Sequence, residues 1–280
     1  MDNSLPAGTG LLFIGCGVMA ESIIAGLLRE KIVSPKQIAA SHPRSDRRSD
    51  LKKRYGIKVF ADNAAAAKAL KGNDSAVLLC VKPQRMSGVL RELAGKVDNA
   101  QLVISIVAGT TIDTIAEALE TTLVARAMPN TPAQIGAGMT VWTCSGGVDD
   151  DHKRTVKVLL SALGKELFVE TENMIDMATS LSATGPTYTF MVMEAMTDAG
   201  VHLGFSREIS KELVQQTMLG SVLFAIESHK HPAELRNMVT SPGGTSAEAI
   251  YQMEKGALRT VLSKAIYGAY KRAVELGKRK

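Results

Sequence analysis

Leu11-Leu12-Phe13-Ile14-Gly15-Cys16-Gly17-Val18-Met19-Ala20 is the stretch on which the fold turns. Four apolar residues in a row are long enough for a buried strand. From Glu21 to Glu30 the apolar residues Ile23, Ile24, Leu27 and Leu28 recur at helical spacing. Between strand and helix lies Gly-x-Gly-x-x-Ala, the context in which a dinucleotide fingerprint carries meaning. Gly15 permits a tight turn, Gly17 lets backbone approach a pyrophosphate, and Ala20 keeps the helix close to the strand.

The alternation continues outward. Gln37 to Ser41, Val77 to Val81, Leu102 to Val107 and Leu123 to Met128 read as further strands, with helical patterns such as Thr111 to Leu119 between them. Apolar strands alternating with helices predict a doubly wound, mainly parallel Rossmann-like sheet covered on both faces. Met139 to Cys144 and Glu166 to Val169 extend it at an edge. Ligands bind such sheets at the carboxyl ends of strands. Those ends here are Lys82-Pro83-Gln84, Ala108-Gly109 and Pro129-Asn130-Thr131-Pro132.

The end of the second strand selects the dinucleotide. An acid there would bind a ribose 2′-hydroxyl and repel a 2′-phosphate. This chain has Ser41-His42-Pro43-Arg44-Ser45-Asp46-Arg47-Arg48, with Arg44 where the acid would stand. Arginine offers charge-assisted, bidentate bonds to phosphate, so NADPH is expected and NADH less favoured.

After Val169 the strand signal ends. Met174 to Val201, Ser206 to Ser228 and Gly256 to Leu276 carry helical spacing rich in Met, Leu and Ala, and Pro186 predicts a kink or break in the first of them. The expected division is 1–170 for NADP binding and 171–280 for an all-α half, whose apolar composition predicts self-association. Ser241-Pro242-Gly243-Gly244-Thr245-Ser246 precedes a helix start, with Thr245 and Glu248 spaced for a capping box. Backbone N–H groups at such a start seat a carboxylate or phosphate, and two hydroxyls stand beside them.

Composition narrows the rest. The 280 residues are 45% hydrophobic, ample for a packed core, with a net charge of only +5. Aromatics are 4%, too few for base-stacking platforms, so no nucleic-acid partner is expected. Cys16, Cys80 and Cys144 are odd in number, widely spaced and lack CxxC or nearby His, which argues against a disulfide framework or a metal site. Free thiols, no apolar run of membrane length, and a start (Asp2) unlike a signal peptide predict a cytoplasmic protein with no membrane partner. Lys278-Arg279-Lys280 reads as a solvated tail.

The chain resembles the pyrroline-5-carboxylate reductase family nearly end to end. The likeness rests on Ile14 to Ala20, Val81-Lys82-Pro83-Gln84, Met128 to Pro132, Gly185-Pro186-Thr187-Tyr188, Asp198-Ala199-Gly200-Val201, Gln216-Thr217 and Val239 to Ser246. It implies hydride transfer from NAD(P)H to a cyclic imine, the last step of proline synthesis. Ile14, Gly15, Cys16, Gly17, Val18 and Met19 would line the pyrophosphate, with His42 and Arg44 near the adenosine ribose. Asn63, Cys80, Val81, Lys82, Pro83, Val107, Ala108 and Gly109 would also touch the cofactor. Ser241, Gly243 and Gly244, with Thr184 and Gly185, would hold the substrate; Ser246, with Thr245, would stand at the imine nitrogen. The helical half would pair with a second copy, in a dimer or a larger assembly such as a decamer.

Two departures bear on the substrate. The family usually has Ser-Gly-Ser-Gly-Pro-Ala-Tyr where this chain has Ser182-Ala183-Thr184-Gly185-Pro186-Thr187-Tyr188, and two threonines where it has Thr245-Ser246. A related cyclic imine is therefore an alternative substrate. A hydroxyacid dehydrogenase of similar layout would need a basic general acid on the long helix, yet Met174 to Val201 holds no Lys or Arg. The hydroxyl-bearing segment also argues against a cofactor sensor without turnover.

Overall fold

The computed structural model describes residues 5–6, 8–70 and 75–278. The start of the chain, on which the leader reading rests, and Arg279 and Lys280 of the basic tail lie outside the described residues. The chain divides into two compact units, residues 1–184 with 269–280, and residues 185–268.

The first unit is built on strands β1 (Leu11–Ile14), β2 (Ile38–Ser41), β3 (Lys58–Phe60), β4 (Ala76–Leu79), β5 (Leu102–Ser105), β6 (Val124–Pro129), β7 (Gly138–Cys144) and β8 (Gly164–Phe168). They form one sheet in the order β3-β2-β1-β4-β5-β6-β7-β8. Every neighbouring pair is parallel except β6 with β7. The chain runs outward from β1 to β3, then crosses back to β4, so the strand order reverses between β1 and β4. That reversal opens the crevice in which dinucleotides bind.

Helices α1 (Val18–Arg29), α2 (Ser45–Tyr55), α3 (Asn63–Ala69), α4 (Met86–Leu93), α5 (Ile112–Leu119) and α6 (Asp150–Ser161) flank the sheet. The pleat explains why both faces are covered. Leu11 and Phe13 point into one buried cluster with Ile23, Ile24 and Leu27 of α1, while Leu12 and Ile14 point into another with Met86, Leu90 and Leu93 of α4. All four β1 side chains are buried, so alternation alone could not reveal the strand. β7 and β8 occupy the edge foreseen for them, whereas β3 was not foreseen. It is three residues long, half exposed, and follows Gly56 in the left-handed region.

Glu21, in the first turn of α1, clamps α2 to it. Its carboxylate takes hydrogen bonds from Arg47, Arg54 and the Tyr55 hydroxyl, and Arg47 also reaches Asp50 at 2.9 Å. Burial pushes the Glu21 pKa up, but the bonds from Arg47 and Tyr55 and the charges of Arg47 and Arg54 outweigh it, and the net shift is downward.

After α7 (Asn173–Ala178) the chain forms a π turn, Thr179–Ala183, and bends at Thr184 before α8 (Gly185–His202) begins with Pro186 in its first turn. The break that Pro186 predicts lies immediately before it, where its missing N–H costs nothing. The second unit holds α8, α9 (Arg207–Ser228), α10 (Pro232–Met238), α11 (Thr245–Lys255) and the first half of α12 (Leu258–Lys278). Its helices bury almost nothing within one chain. Phe190, Met191, Leu219, Val222 and Phe224 stand exposed, and Leu203 is 82% exposed.

Because the Glu21 pKa is depressed by folding, its network stabilises fully above the unfolded carboxyl pKa and is lost as pH falls through the folded value. Glu21→Gln should therefore lower the unfolding free energy at pH 7 by about 1–3 kcal/mol. The gap to the parent should narrow below about pH 4. Urea titrations at both pH values check this; a gap independent of pH would contradict it.

Candidate active site

The crevice begins with the turn after β1. Gly15 has φ +83°, and a Cβ added there would lie 2.4 Å from Val81 Cγ1. Only glycine meets both demands. Two bonds pin the turn to β2: the Gly15 N–H donates to Ser41 Oγ at 3.3 Å and the Cys16 N–H to the Ser41 carbonyl at 3.0 Å. Gly17 caps α1 without a side chain, and nothing would meet a Cβ there within 4 Å. Among the described residues no hydrogen bond takes up the N–H of Val18 or Met19. Open space beside Gly17 and free donors at a helix start fit a pyrophosphate.

The predicted cofactor residues converge here from β1, β2, β4 and β5. Ser41 Oγ donates to Asn63 Oδ1 at 2.7 Å, and Asn63 Nδ2 donates to Glu92 at 2.6 Å, so Asn63 is fixed at the start of α3. The Cys80 N–H donates to the Ile14 carbonyl at 2.9 Å, bringing Cys80, Val81, Lys82 and Pro83 beside the glycine turn. Val107 is buried and donates its N–H to Ser105 Oγ, leading into Ala108 and Gly109. A cavity of about 670 Å³ opens beside these turns, lined in part by Pro83, Met86, Leu90, Ala108, Gly109 and Leu276. Burial pushes the Cys16 thiol to about 12 and raises that of Cys80, so neither serves as a nucleophile.

At the end of β2 the basic residues divide their tasks. Arg48 donates to the carbonyls of His42 and Pro43 and fixes the loop. Arg47 is drawn to Glu21. Arg44 is 70% exposed and pairs with Asp46, which holds that carboxyl down to about 2. Arg44 thus presents the accessible guanidinium beside His42, whose pKa is lowered by burial and by neighbouring arginines. Among the described residues no group of three or more His, Cys, Asp or Glu side chains is gathered for a metal ion.

Ser241, Gly243, Gly244, Thr245 and Ser246 come together in the second unit. The Gly244 N–H donates to the Ser241 carbonyl at 3.0 Å, Gly243 has φ +69°, and α11 starts at Thr245. The expected capping box does not form. Gly244, extended and without a side chain, is the cap, and Glu248 turns down the helix to accept from Gln252 at 2.8 Å. Ala247 and Glu248 donate to the Gly244 carbonyl, while among the described residues nothing takes the N–H or hydroxyl of Thr245 or Ser246. The start of α11 is therefore more open to an anion than a capping box would leave it. Thr184 directly follows the π turn, its N–H and hydroxyl both donating to the Thr179 carbonyl at 2.9 Å, and Gly185 opens α8.

Comparison with known proteins bears out the family resemblance. Residues 172–276 match the family model for pyrroline-5-carboxylate reductase dimerisation, and residues 11–109 match that for NADP oxidoreductase, coenzyme F420-dependent. The pyrroline-5-carboxylate reductase of Synechocystis sp. is 41% identical over 266 residues, covering 95% of this chain and 97% of that one. The chain belongs to the pyrroline-5-carboxylate reductase family. A solved structure of the Coxiella burnetii reductase superimposes with a TM-score of 0.86 at 35% identity, covering 96% of this chain and 98% of that one. The Plasmodium falciparum pyrroline carboxylate reductase, solved with NADP bound, also gives 0.86, at 27% identity and the same coverage. As a member of this family the chain is an oxidoreductase, and it self-associates through a helical half whose apolar faces one chain leaves exposed.

One polar cluster escaped the sequence reading. Arg126, 2% exposed in β6, reaches Glu172 at 2.8 Å and Asp176 at 2.7 Å. Its signal was present: an arginine inside the apolar run Val124 to Met128 needs buried partners. Those partners lie 46 and 50 residues on, beyond any local pattern.

Gly15→Ala should force the turn or Val81 to move and weaken NADP(H) binding at least about 10-fold. Calorimetric titration measures this directly; unchanged affinity would separate the glycine turn from the cofactor seat.

Proposed function

We propose that this chain reduces L-1-pyrroline-5-carboxylate to L-proline with NADPH, the last step of proline biosynthesis, using 1–170 to hold the dinucleotide and 171–280 to hold substrate and a second copy. Family membership carries the reaction, and the open start of α11 supports the substrate's place in it. The N–H groups of Thr245 and Ser246 receive the carboxylate, with Ser241, Gly243 and Gly244 shaping the turn; Thr184 and Gly185 are further substrate-binding residues.

NADPH, when bound, supplies a hydride to the imine carbon. The C=N π electrons then pass to the ring nitrogen, which ends protonated. The Ser246 hydroxyl hydrogen-bonds that nitrogen, and Thr245 stands beside it. A substrate arriving as iminium needs no strong acid from the chain, so its residues act mainly by positioning, which contributes several kcal/mol. Arg44, with His42, favours the 2′-phosphate of NADPH over NADH. Free Cys16, Cys80 and Cys144 support a reducing compartment, the cytoplasm. The exposed apolar helices support a dimer, with larger assemblies such as a decamer built from it.

NADPH should give the higher kcat/KM, and Arg44→Asp should reduce it at least about 10-fold while sparing NADH. Equal efficiencies in the parent would reverse the cofactor assignment.

With NADPH, 1-pyrroline lacking the carboxylate should be reduced about 100-fold or more less efficiently than pyrroline-5-carboxylate. Ser246→Ala should lower turnover about 10- to 1,000-fold with NADPH affinity intact. If the bare imine performs as well as the acid, the α11 start is no seat; if a six-membered imine carboxylate is preferred, the changes at Ala183, Thr187 and Ser246 have altered the substrate.

A further inference from the structure

Arg126 is a charged side chain buried in the middle of the sheet, in register with Ser105 and Thr143. Its neighbours in β6, Ala125 and Ala127, are fully buried. Burying a guanidinium is costly, and replacing a buried ion cluster by apolar residues is often neutral or stabilising. The fork is nonetheless used fully at its tips. Nη1 donates to Glu172 and Nη2 to Asp176, while Nε has no partner among the described residues. One cation faces two carboxylates, more than charge balance requires.

Geometry accounts for the second carboxylate. Glu172 Oε1 also accepts the N–H of Ile112, the first residue of α5, at 2.9 Å. It therefore joins β6, α5 and the start of α7. Asp176, one turn on, fixes the body of α7 immediately before the π turn. Ile175 between them is fully buried and packs with Met128, Val141 and Val169. At the other end of the π turn, Asn130 closes β6 by accepting the Met139 N–H at 2.9 Å, and its amide faces the carbonyl and hydroxyl of Ser182 at 3.4 and 3.5 Å. β6 and the residue after it thus hold the approach to the π turn tightly, through Arg126, and its far end loosely, through Asn130. Thr184, bonded twice to Thr179, follows wherever α7 is set. π segments concentrate at functional sites because they spend regular helix geometry on placement.

We propose that Arg126, Glu172 and Asp176 are positioning residues for the imine substrate, setting the Thr179–Ala183 π turn and hence Thr184. This rests on reading Thr184 as a substrate contact.

Asp176→Asn and Arg126→Lys test it in the full-length protein, with two readouts. Hydrogen exchange by mass spectrometry should show residues 179–184 exchanging about 10-fold faster, with residues 11–20 unchanged. Steady-state kinetics should show KM for pyrroline-5-carboxylate raised about 5- to 50-fold, with KM for NADPH within about 2-fold of the parent. Unchanged exchange at 179–184 in Asp176→Asn, the milder substitution, would overturn the proposal. So would equal rises in both KM values that track a lost thermal midpoint, since that marks a structural role alone. Faster exchange with an unaltered imine KM would overturn the link to substrate. A parent that fails to reduce the imine while its variants still show faster exchange at 179–184 would instead discard the substrate reading.

Discussion

The approach of the β1 turn to the end of β4 governs the first unit. Gly15 must adopt a left-handed backbone and leave Val81 room that a single methyl group would fill. Both demands follow from the place where strand order reverses, because there two parallel strands deliver their carboxyl ends to one crevice. Ser41 shares the constraint. It reaches across from β2 with both backbone and hydroxyl, then passes the restraint to Asn63 and Glu92. Four elements are thereby locked around a small volume with backbone donors, and among the described residues no side chain supplies those donors with a partner.

The second unit obeys a different rule. α8, α10 and α11 have no fully buried residue, and α9 has only Ser210 and Val214. A helical unit left in that condition would expose far more apolar surface than a monomer tolerates. Another copy supplies what its own chain lacks, and the family model matched to this region is one for dimerisation.

The legibility of these features differed for physical reasons. β1, β4, β5 and β6 were visible because runs buried on both faces must be apolar, and the glycine motif followed from turn geometry alone. β3 was invisible: three half-exposed edge residues carry too little apolar surface to leave a pattern. At α11 the sequence pointed to the right place and the wrong cap, since Thr245–Glu248 spacing suits a capping box only if the helix begins one residue later than it does. The Arg126 cluster was half legible. The arginine stood out within its strand, but its partners are chosen by tertiary packing, and no periodicity connects positions 126, 172 and 176.

Gly244, as the cap of α11, leaves the first N–H groups of the helix without a side-chain partner. Against Ser, Thr, Asn or Asp at that position, glycine forgoes only about a few tenths of a kcal/mol. An anion that took up those N–H groups would complete the helix start, so under the proposed reading the substrate would finish a secondary-structure element of the protein that binds it. Occupancy and local order would then be linked, the first turn of α11 tightening as the site fills. A product that kept the same carboxylate would meet the same coupling in reverse, since its release would ask the helix to give up a borrowed cap.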